Sequence, residues 1–214
     1  MQIDIHVLEL LSSKLCHDLV SPVSAINNGV ELIEDIGGSV VEEAMKLIGD
    51  SAGHAARRLR LFRMAYGRAG SEENLGMRDV RQIAEQYLAG GKSTLAWPEN
   101  QPPEAMASHK GALKVMLNML IMAEEVLPYG GAITLSPLSG ATGCRFEIAG
   151  RSAQLNETLR AAFEGTAPIE DLTPRSIQSY ITGKFAAHFG LTLAHEQLMP
   201  DRLDLILSLA AAAS

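Results

Sequence analysis

The sequence predicts an α+β fold, in which an N-terminal pair of antiparallel helices precedes an α/β sandwich. Three observations support this prediction. Apolar residues recur at the helical period from about Ile3 to Ile36, and again from about Val40 to Gly67. Gly37-Gly38 separates these stretches and is a strong helix stop. Beyond residue 70, shorter helical patterns alternate with strand-like apolar stretches, which is typical of helices packed on a sheet.

Composition limits the kind of protein. The chain has 214 residues, 47% of them apolar, and a formal net charge of −7. This apolar content is enough for a sizeable core, and an acidic balance argues against nucleic acid as a partner. The first residues, Met1 to Asp4, do not look like a signal peptide, and no run approaches the roughly 20 apolar residues of a membrane span. We therefore expect a cytoplasmic protein that binds neither nucleic acid nor membranes.

The two N-terminal helices each carry an apolar stripe. In the first helix it consists of Leu8, Leu11, Leu15, Leu19, Ile26, Val30 and Ile33, and in the second of Ala44, Leu47, Ile48, Ala55, Leu59, Phe62 and Tyr66. A single hairpin does not bury both stripes fully. Pairing two hairpins into a four-helix bundle does, so we expect a homodimer built through a domain of residues 1–70.

Residues 71–214 form the predicted second domain, a two-layer α/β sandwich. Helices are expected at about 79–88, 110–127, 154–164 and 174–189, and strands at about 93–97, 132–136, 144–149, 191–195 and 203–209. The strands are expected to be of the antiparallel type. The stretch Ala69 to Asn74 is interpreted as the linker between the domains.

The candidate functional residue is His17. On a helical projection it lies about 160° from the middle of the apolar stripe, so we expect it to face solvent. Ser13, Ser21 and Ser24 lie on the same face, which leaves the imidazole open to another macromolecule. The adjacent Asp18 can hold the ring tautomer. An ordinary surface histidine beside an aspartate is the alternative interpretation.

A proline and a sequence motif favour the functional interpretation. Pro22 in mid-helix removes a backbone hydrogen bond and costs about 3 kcal/mol, which indicates that the local distortion has a use. The run His17-Asp18-Leu19-Val20-Ser21-Pro22 resembles the phosphorylation box of histidine kinase dimerisation domains. The longer run from Leu15 to Glu34 resembles the ChpT family of bacterial histidine phosphotransferases, and this similarity extends over nearly the whole chain.

The second domain resembles a degenerate ATP-binding domain of histidine kinases. Asn118 occupies the place of the first asparagine of the kinase N-box, but Met122 stands where a second asparagine would bind magnesium, and a thioether is a poor ligand for that ion. The stretch Phe146 to Ser152 lacks the Asp-x-Gly-x-Gly motif that binds adenine. Thr173-Pro174-Arg175-Ser176 replaces the glycine-rich lid. We therefore expect no nucleotide and no cofactor.

The resemblance implies a histidine phosphotransferase of a multistep phosphorelay. His17 would accept and donate the phosphoryl group, Asp18 would orient the imidazole, and Ser21 would lie near the phosphoryl group. Partners would be receiver domains of a hybrid histidine kinase and of response regulators, which carry the Mg²⁺ and dock over Ser13 and Ser24. The alternatives are a divergent ATP-dependent histidine kinase and a non-catalytic scaffold that binds response regulators.

Two further groups of side chains receive an interpretation from the sequence. His54 is expected to be solvated. The basic run on the second helix is interpreted as a solvated face or as a surface for an acidic partner; it consists of Arg57, Arg58, Arg60 and Arg63.

Overall fold

The computed structural model describes residues 4–67, 76–98, 106, 108–139 and 143–209. The chain begins with two long helices, α1 (Ile5–Asp35) and α2 (Val41–Tyr66), joined by a short 3-10 turn at Gly38–Val40. We call this pair the hairpin. Within the described ranges, no helix combines the length and the apolar character needed to cross a membrane.

The hairpin begins at a cap and is closely packed at one point. The Asp4 side chain accepts a hydrogen bond from the His6 backbone N–H and starts α1. Gly29 is buried, and a Cβ atom there would come within 2.6 Å of the Ile48 side chain and 3.2 Å of the Ala44 carbonyl oxygen. A glycine is therefore what allows the two helices to approach each other here.

Helix α1 continues through Pro22, which is buried. Because proline has no N–H, the carbonyl of Asp18 loses the helical hydrogen bond that it would otherwise accept from residue 22. The predicted proline position is thus confirmed inside the helix, one turn after the candidate histidine.

The α/β half of the chain, residues 76–209, consists of four helices and five strands within its described ranges. The helices are α3 (Met77–Leu88), α4 (Ala112–Glu125), α5 (Glu157–Glu164) and α6 (Ile177–His188); the strands are β1 (Ser93–Ala96), β2 (Gly131–Pro137), β3 (Gly143–Ala149), β4 (Leu191–Met199) and β5 (Arg202–Leu209). The sheet order is β1-β2-β3-β5-β4. This arrangement confirms the α+β class.

Helices cover one face of the sheet, as the alternation of buried residues shows. The covered face presents Ile133 and Leu135 of β2, Phe146 of β3 and Leu205 of β5, all buried. Helix α4 is buried along almost its whole length, which explains why its sequence is apolar all round rather than on one stripe. The opposite face is more polar and includes an ion pair between Arg145 and Asp204.

The hairpin and the α/β half are joined by a buried polar network at the end of α2. The Asn118 amide of α4 donates to the Ala65 carbonyl at 2.8 Å and to the Lys114 carbonyl at 2.9 Å. Gln178 of α6 donates to the Asn118 side-chain oxygen at 3.1 Å and accepts from the Tyr66 hydroxyl. The side chain that resembles a kinase N-box asparagine is therefore engaged in joining the two parts of the chain.

A second contact lies near the beginning of α1. There Val7, Leu10 and Leu11 pack against a small apolar cluster that includes Leu172 and Tyr180. Two members of this cluster, Leu172 and Ile177, flank residues 173–176, the stretch that stands in place of the kinase lid. These two separated contacts between the hairpin and the α/β half limit their relative movement.

The structure corrects some details of the prediction. Strand β1 pairs with β2 in parallel, so the sheet is mixed rather than antiparallel throughout. Strand β4 extends to Met199, four residues beyond its predicted end, because it pairs with β5 as a long hairpin. The predicted linker, 69–74, lies outside the described residues, and the domain boundary at residue 70 stays a prediction.

Candidate functional site

His17 lies in the first half of α1 and is 89% exposed. The predicted orientation toward solvent is confirmed. Ser13, Ser21 and Ser24 are also exposed, so the surface around the imidazole consists of small side chains as expected. In the described part of the chain no hydrogen bond joins Ser21 to His17, and the role of Ser21 stays a prediction.

Asp18 connects the imidazole to two cations. One carboxylate oxygen, Oδ1, lies 3.6 Å from Nδ1 of His17, and the other, Oδ2, lies 3.5 Å from Nζ of Lys14 and 3.6 Å from Nη1 of Arg58. The Asp18 side chain is only 18% exposed. A carboxylate held in this way faces the imidazole with one oxygen while the other is occupied by positive charge.

These cations are themselves paired with the α/β half. Arg58 lies 3.5 Å from a carboxylate oxygen of Glu124, and Lys14 forms an ion pair with Glu125. Both glutamates are at the C-terminal end of α4. We call Lys14, Asp18, Arg58, Glu124 and Glu125 the charge cluster. It links the helix that carries His17 to a helix of the α/β half.

Burial and charge shift several pKa values in and beside the charge cluster. Burial raises the pKa of Glu125 to about 7, against the opposing effect of Lys14. Burial lowers the pKa of the Lys14 ammonium, but the Glu125 and Asp18 carboxylates raise it further, so its net direction is upward. Tyr87 has a pKa well above its ordinary value because it is buried and hydrogen-bonded to Glu124. The ammonium of Lys14 therefore stays charged at neutral pH, while Glu125 is close to its titration point.

One prediction about α2 is wrong, and another holds for only part of the residues that it named. His54 is not freely solvated: Nε of Arg58 donates to its Nε2 at 3.2 Å, and burial, followed by the nearby charges of Arg58 and Arg57, lowers the pKa of the imidazole. Within the basic run Arg60 and Arg63 are exposed as predicted, although Arg60 also donates to the Gln86 side chain at 3.1 Å, whereas Arg58 is mostly buried among its partners. The surface available to an acidic partner is correspondingly smaller.

Sequence reasoning missed Lys14, Arg58, Glu124 and Glu125. One signal was available, because Lys14 and Asp18 are four residues apart on one helix and such pairs face each other. Glu124 and Glu125 also end a helix, where the helix dipole disfavours negative charge, so cationic partners were to be expected. The identity of those partners depends on tertiary contacts.

Asn118 and Met122, the two positions that resemble the kinase N-box, lie in the core of the α/β half. Asn118 is fully buried and uses its amide within the protein, and Met122 is buried beside it on the same helix. Among the described residues, no group of three or more His, Cys, Asp or Glu side chains is arranged to hold a metal.

Comparison with known proteins shows which family the chain is similar to. A family model described as the histidine phosphotransferase C-terminal domain matches residues 77–198. Over 188 residues the chain is 34% identical to the protein phosphotransferase ChpT of Brucella abortus (strain 2308), covering 86% of this chain and 87% of that protein. A solved structure of a bacterial phosphotransferase has a TM-score of 0.75 with this chain at 28% identity, covering 97% of this chain and 98% of that one.

The family model and these two relatives define a histidine phosphotransferase of the phosphorelay class. The chain belongs to the histidine phosphotransferase family, and its resemblance to the ChpT-type proteins is confirmed.

Proposed function

We propose that Nε2 of His17 carries a phosphoryl group between receiver domains, without using ATP. The observation that carries this proposal is the near-complete exposure of His17 next to a carboxylate held by two cations. The negative charge on Oδ1 of Asp18, 3.6 Å from Nδ1, favours the tautomer that has its proton on Nδ1. Nε2 then keeps the lone pair that the attack on phosphorus needs.

In the proposed reaction a receiver brings its phospho-aspartate to His17. The Nε2 lone pair forms a bond to phosphorus as the bond from phosphorus to the aspartate oxygen breaks, and the aspartate leaves as a carboxylate. The imidazole becomes positively charged, and Asp18 stabilises that charge through Nδ1–H. The second transfer reverses these steps toward another receiver. Positioning and charge stabilisation supply the catalysis, and the magnesium belongs to the receiver.

Receiver docking is proposed over the face of α1 that carries Ser13, Ser21 and Ser24. In-line attack requires the phosphorus to approach Nε2 within about 3–3.5 Å, so the receiver must lie directly on this surface. The exposed serines leave room for that approach. The α/β half is proposed to supply a further contact surface that helps to select the receiver.

The protein is proposed to act as a homodimer through a different face of the hairpin. Val23 and Val30 on α1 are exposed and seven residues apart; Met45, Ala52 and Leu59 on α2 are exposed with the same spacing. This heptad spacing suits packing of four helices. Val23 is about 120° from His17 around the helix, so a dimer interface there leaves the imidazole accessible.

The test uses the purified full-length protein and a receiver domain carrying a radiolabelled aspartyl phosphate. We expect rapid transfer of label to the wild type in an acid-labile, base-stable form, and none to His17→Ala. His109→Ala is the matched control, because the hydrogen bond described for the His109 ring goes to the neighbouring Lys110 carbonyl and lies outside the hairpin. It should accept label like the wild type.

Labelled ATP distinguishes the other candidates. Incorporation from ATP without a receiver would identify a divergent histidine kinase. Binding of the phosphorylated receiver without any transfer to His17 would identify a scaffold. Either result would reject the proposed function.

A further inference from the structure

We propose that Arg58 is a positioning residue for His17, through which the α/β half holds the Asp18 carboxylate in place. This inference deepens the proposed function and rests on it. In this arrangement Glu124 and Tyr87 fix Arg58, Arg58 fixes Asp18, and Asp18 sets the tautomer of the His17 imidazole. The α/β half then acts on the phosphorylation site without touching the reacting atoms.

The geometry of Arg58 supports a fixed side chain. Its Nη1 lies 3.6 Å from Oδ2 of Asp18 and donates to the Tyr87 hydroxyl at 3.4 Å, while Nη2 lies 3.5 Å from Glu124 and Nε donates to His54 at 3.2 Å. The guanidinium carbon is also 5.2 Å from the centre of the Tyr87 ring. Since all three nitrogen atoms have partners, and these partners lie on four helices, the planar group has little rotational freedom.

The partners of Arg58 come from different parts of the chain. Asp18 is on α1, His54 is on α2 itself, Tyr87 is on α3 and Glu124 is on α4. The guanidinium is mostly buried, with 17% of the side chain exposed, so solvent screens these contacts less than it would screen surface ion pairs. A link of this kind transmits the position of α3 and α4 to the helix that carries His17.

Charge explains why the Asp18 orientation depends on Arg58. The charge cluster contains three carboxylates and two cations. Without Arg58 the charge cluster keeps one cation, Lys14. This residue is located one helical turn before Asp18 and also pairs with Glu125. We expect Asp18 to turn toward Lys14 and away from Nδ1 of His17. The imidazole then loses the contact that favours a proton on Nδ1.

The loss would reduce the reactive form of His17 without removing the nucleophile. A free imidazole exchanges between tautomers. In the tautomer with its proton on Nε2, that nitrogen has no free lone pair for the attack on phosphorus. The positive charge that develops on the ring is also less stabilised. Transfer should therefore slow, while docking of the receiver on the serine face should be nearly unaffected.

The test compares three full-length variants. Arg58→Met removes the charge and keeps the length, Arg58→Lys keeps the charge but loses the planar group, and Arg60→Met is the matched control. Arg60 lies on the same helix and donates to Gln86 of α3, so its loss also removes a contact between α2 and α3. Among the described contacts, Arg60 has none with Asp18.

Two measurements are needed on each variant. Single-turnover transfer from a phosphorylated receiver gives the rate, with receiver affinity measured separately. Nitrogen-15 NMR of the His17 ring gives the tautomer. We expect Arg58→Met to slow transfer by about tenfold or more, at nearly unchanged receiver affinity, and to shift the tautomer population toward Nε2–H. Arg58→Lys should restore part of both effects, and Arg60→Met should show neither.

Several results would overturn the inference. One is transfer by Arg58→Met at the wild-type rate. Another is slower transfer by this variant with an unchanged His17 tautomer population, which would indicate a purely structural role. If Arg58→Met does not fold, Glu124→Gln applies the same tautomer criterion from the other end of the link, and an unchanged population there rejects the inference. Absence of label on His17 of the wild type would instead reject the proposed function itself.

Discussion

The partly buried Glu125 makes the stability of the protein depend on pH in a predictable direction. Its carboxylate is 27% exposed, pairs with Lys14, and also faces the charges of Asp18 and Glu124. Burial raises its pKa from 4.5 to about 7, so the folded protein holds a proton that the unfolded chain releases at lower pH. We predict that Glu125→Gln removes this dependence, because glutamine fills nearly the same space and does not ionise.

The direction and the size of this pH effect follow from the linkage between proton binding and folding. Below pH 4.5 both states hold the proton, and this contribution to the free energy of unfolding is fully present. It is lost as the pH rises from 4.5 to about 7, because over this range the unfolded state has released the proton that the folded state still binds, and the loss is complete above the folded pKa. The whole shift corresponds to about 3 kcal/mol, of which about 2 to 3 kcal/mol is lost between pH 5 and pH 8. Lys14 stays charged over this range because its pKa is raised from 10.5.

The assay is urea denaturation of the wild type and Glu125→Gln at several pH values between 5 and 8. Protein concentration is kept constant, because any dimerisation would make stability depend on it. Subtracting the free energy of unfolding of the variant from that of the wild type at each pH removes the contribution of the other titrating groups. The wild type should lose stability relative to the variant as the pH rises. Parallel curves, or a relative gain by the wild type, would refute the reasoning about Glu125.

Three further predictions concern the core, the assembly and the docking surface. Asn118→Leu leaves the Ala65 carbonyl without its partner and should lower the free energy of unfolding by about 2 kcal/mol in urea denaturation; an unchanged value would mean that the network contributes little. Val23→Glu and Leu59→Glu place charges in the proposed dimer interface and should give monomers in light scattering, whereas intact dimers would place the interface elsewhere. Ser24→Arg puts bulk under the docked receiver and should weaken receiver binding in calorimetry; unchanged affinity would exclude this face.

Local patterns predicted the hairpin and the exposure of the site. Helical periodicity gave both helices to within a few residues, and angular position along one helix was enough to place His17, Ser13, Ser21 and Ser24 on the solvent side. Such features depend on residues close in sequence.

Contacts between distant segments were not predictable in this way. Arg58 belongs to a basic run that favours a solvated surface, yet its partners Asp18, Tyr87 and Glu124 come from three other helices. The close approach at Gly29 depends on how two helices cross, which the sequence of one helix does not specify. The parallel pairing of the short strand β1 with β2 was not predictable either, because a helix separates the two strands in the sequence.

The central claim is that the phosphoryl group resides on Nε2 of His17. The most direct measurement is NMR of the wild-type protein labelled with nitrogen-15 at histidine, after reaction with a phosphorylated receiver in the absence of ATP. We predict coupling between phosphorus and Nε2 of His17, with the proton retained on Nδ1. Phosphorus on Nδ1, on another residue, or nowhere in the protein would contradict the account.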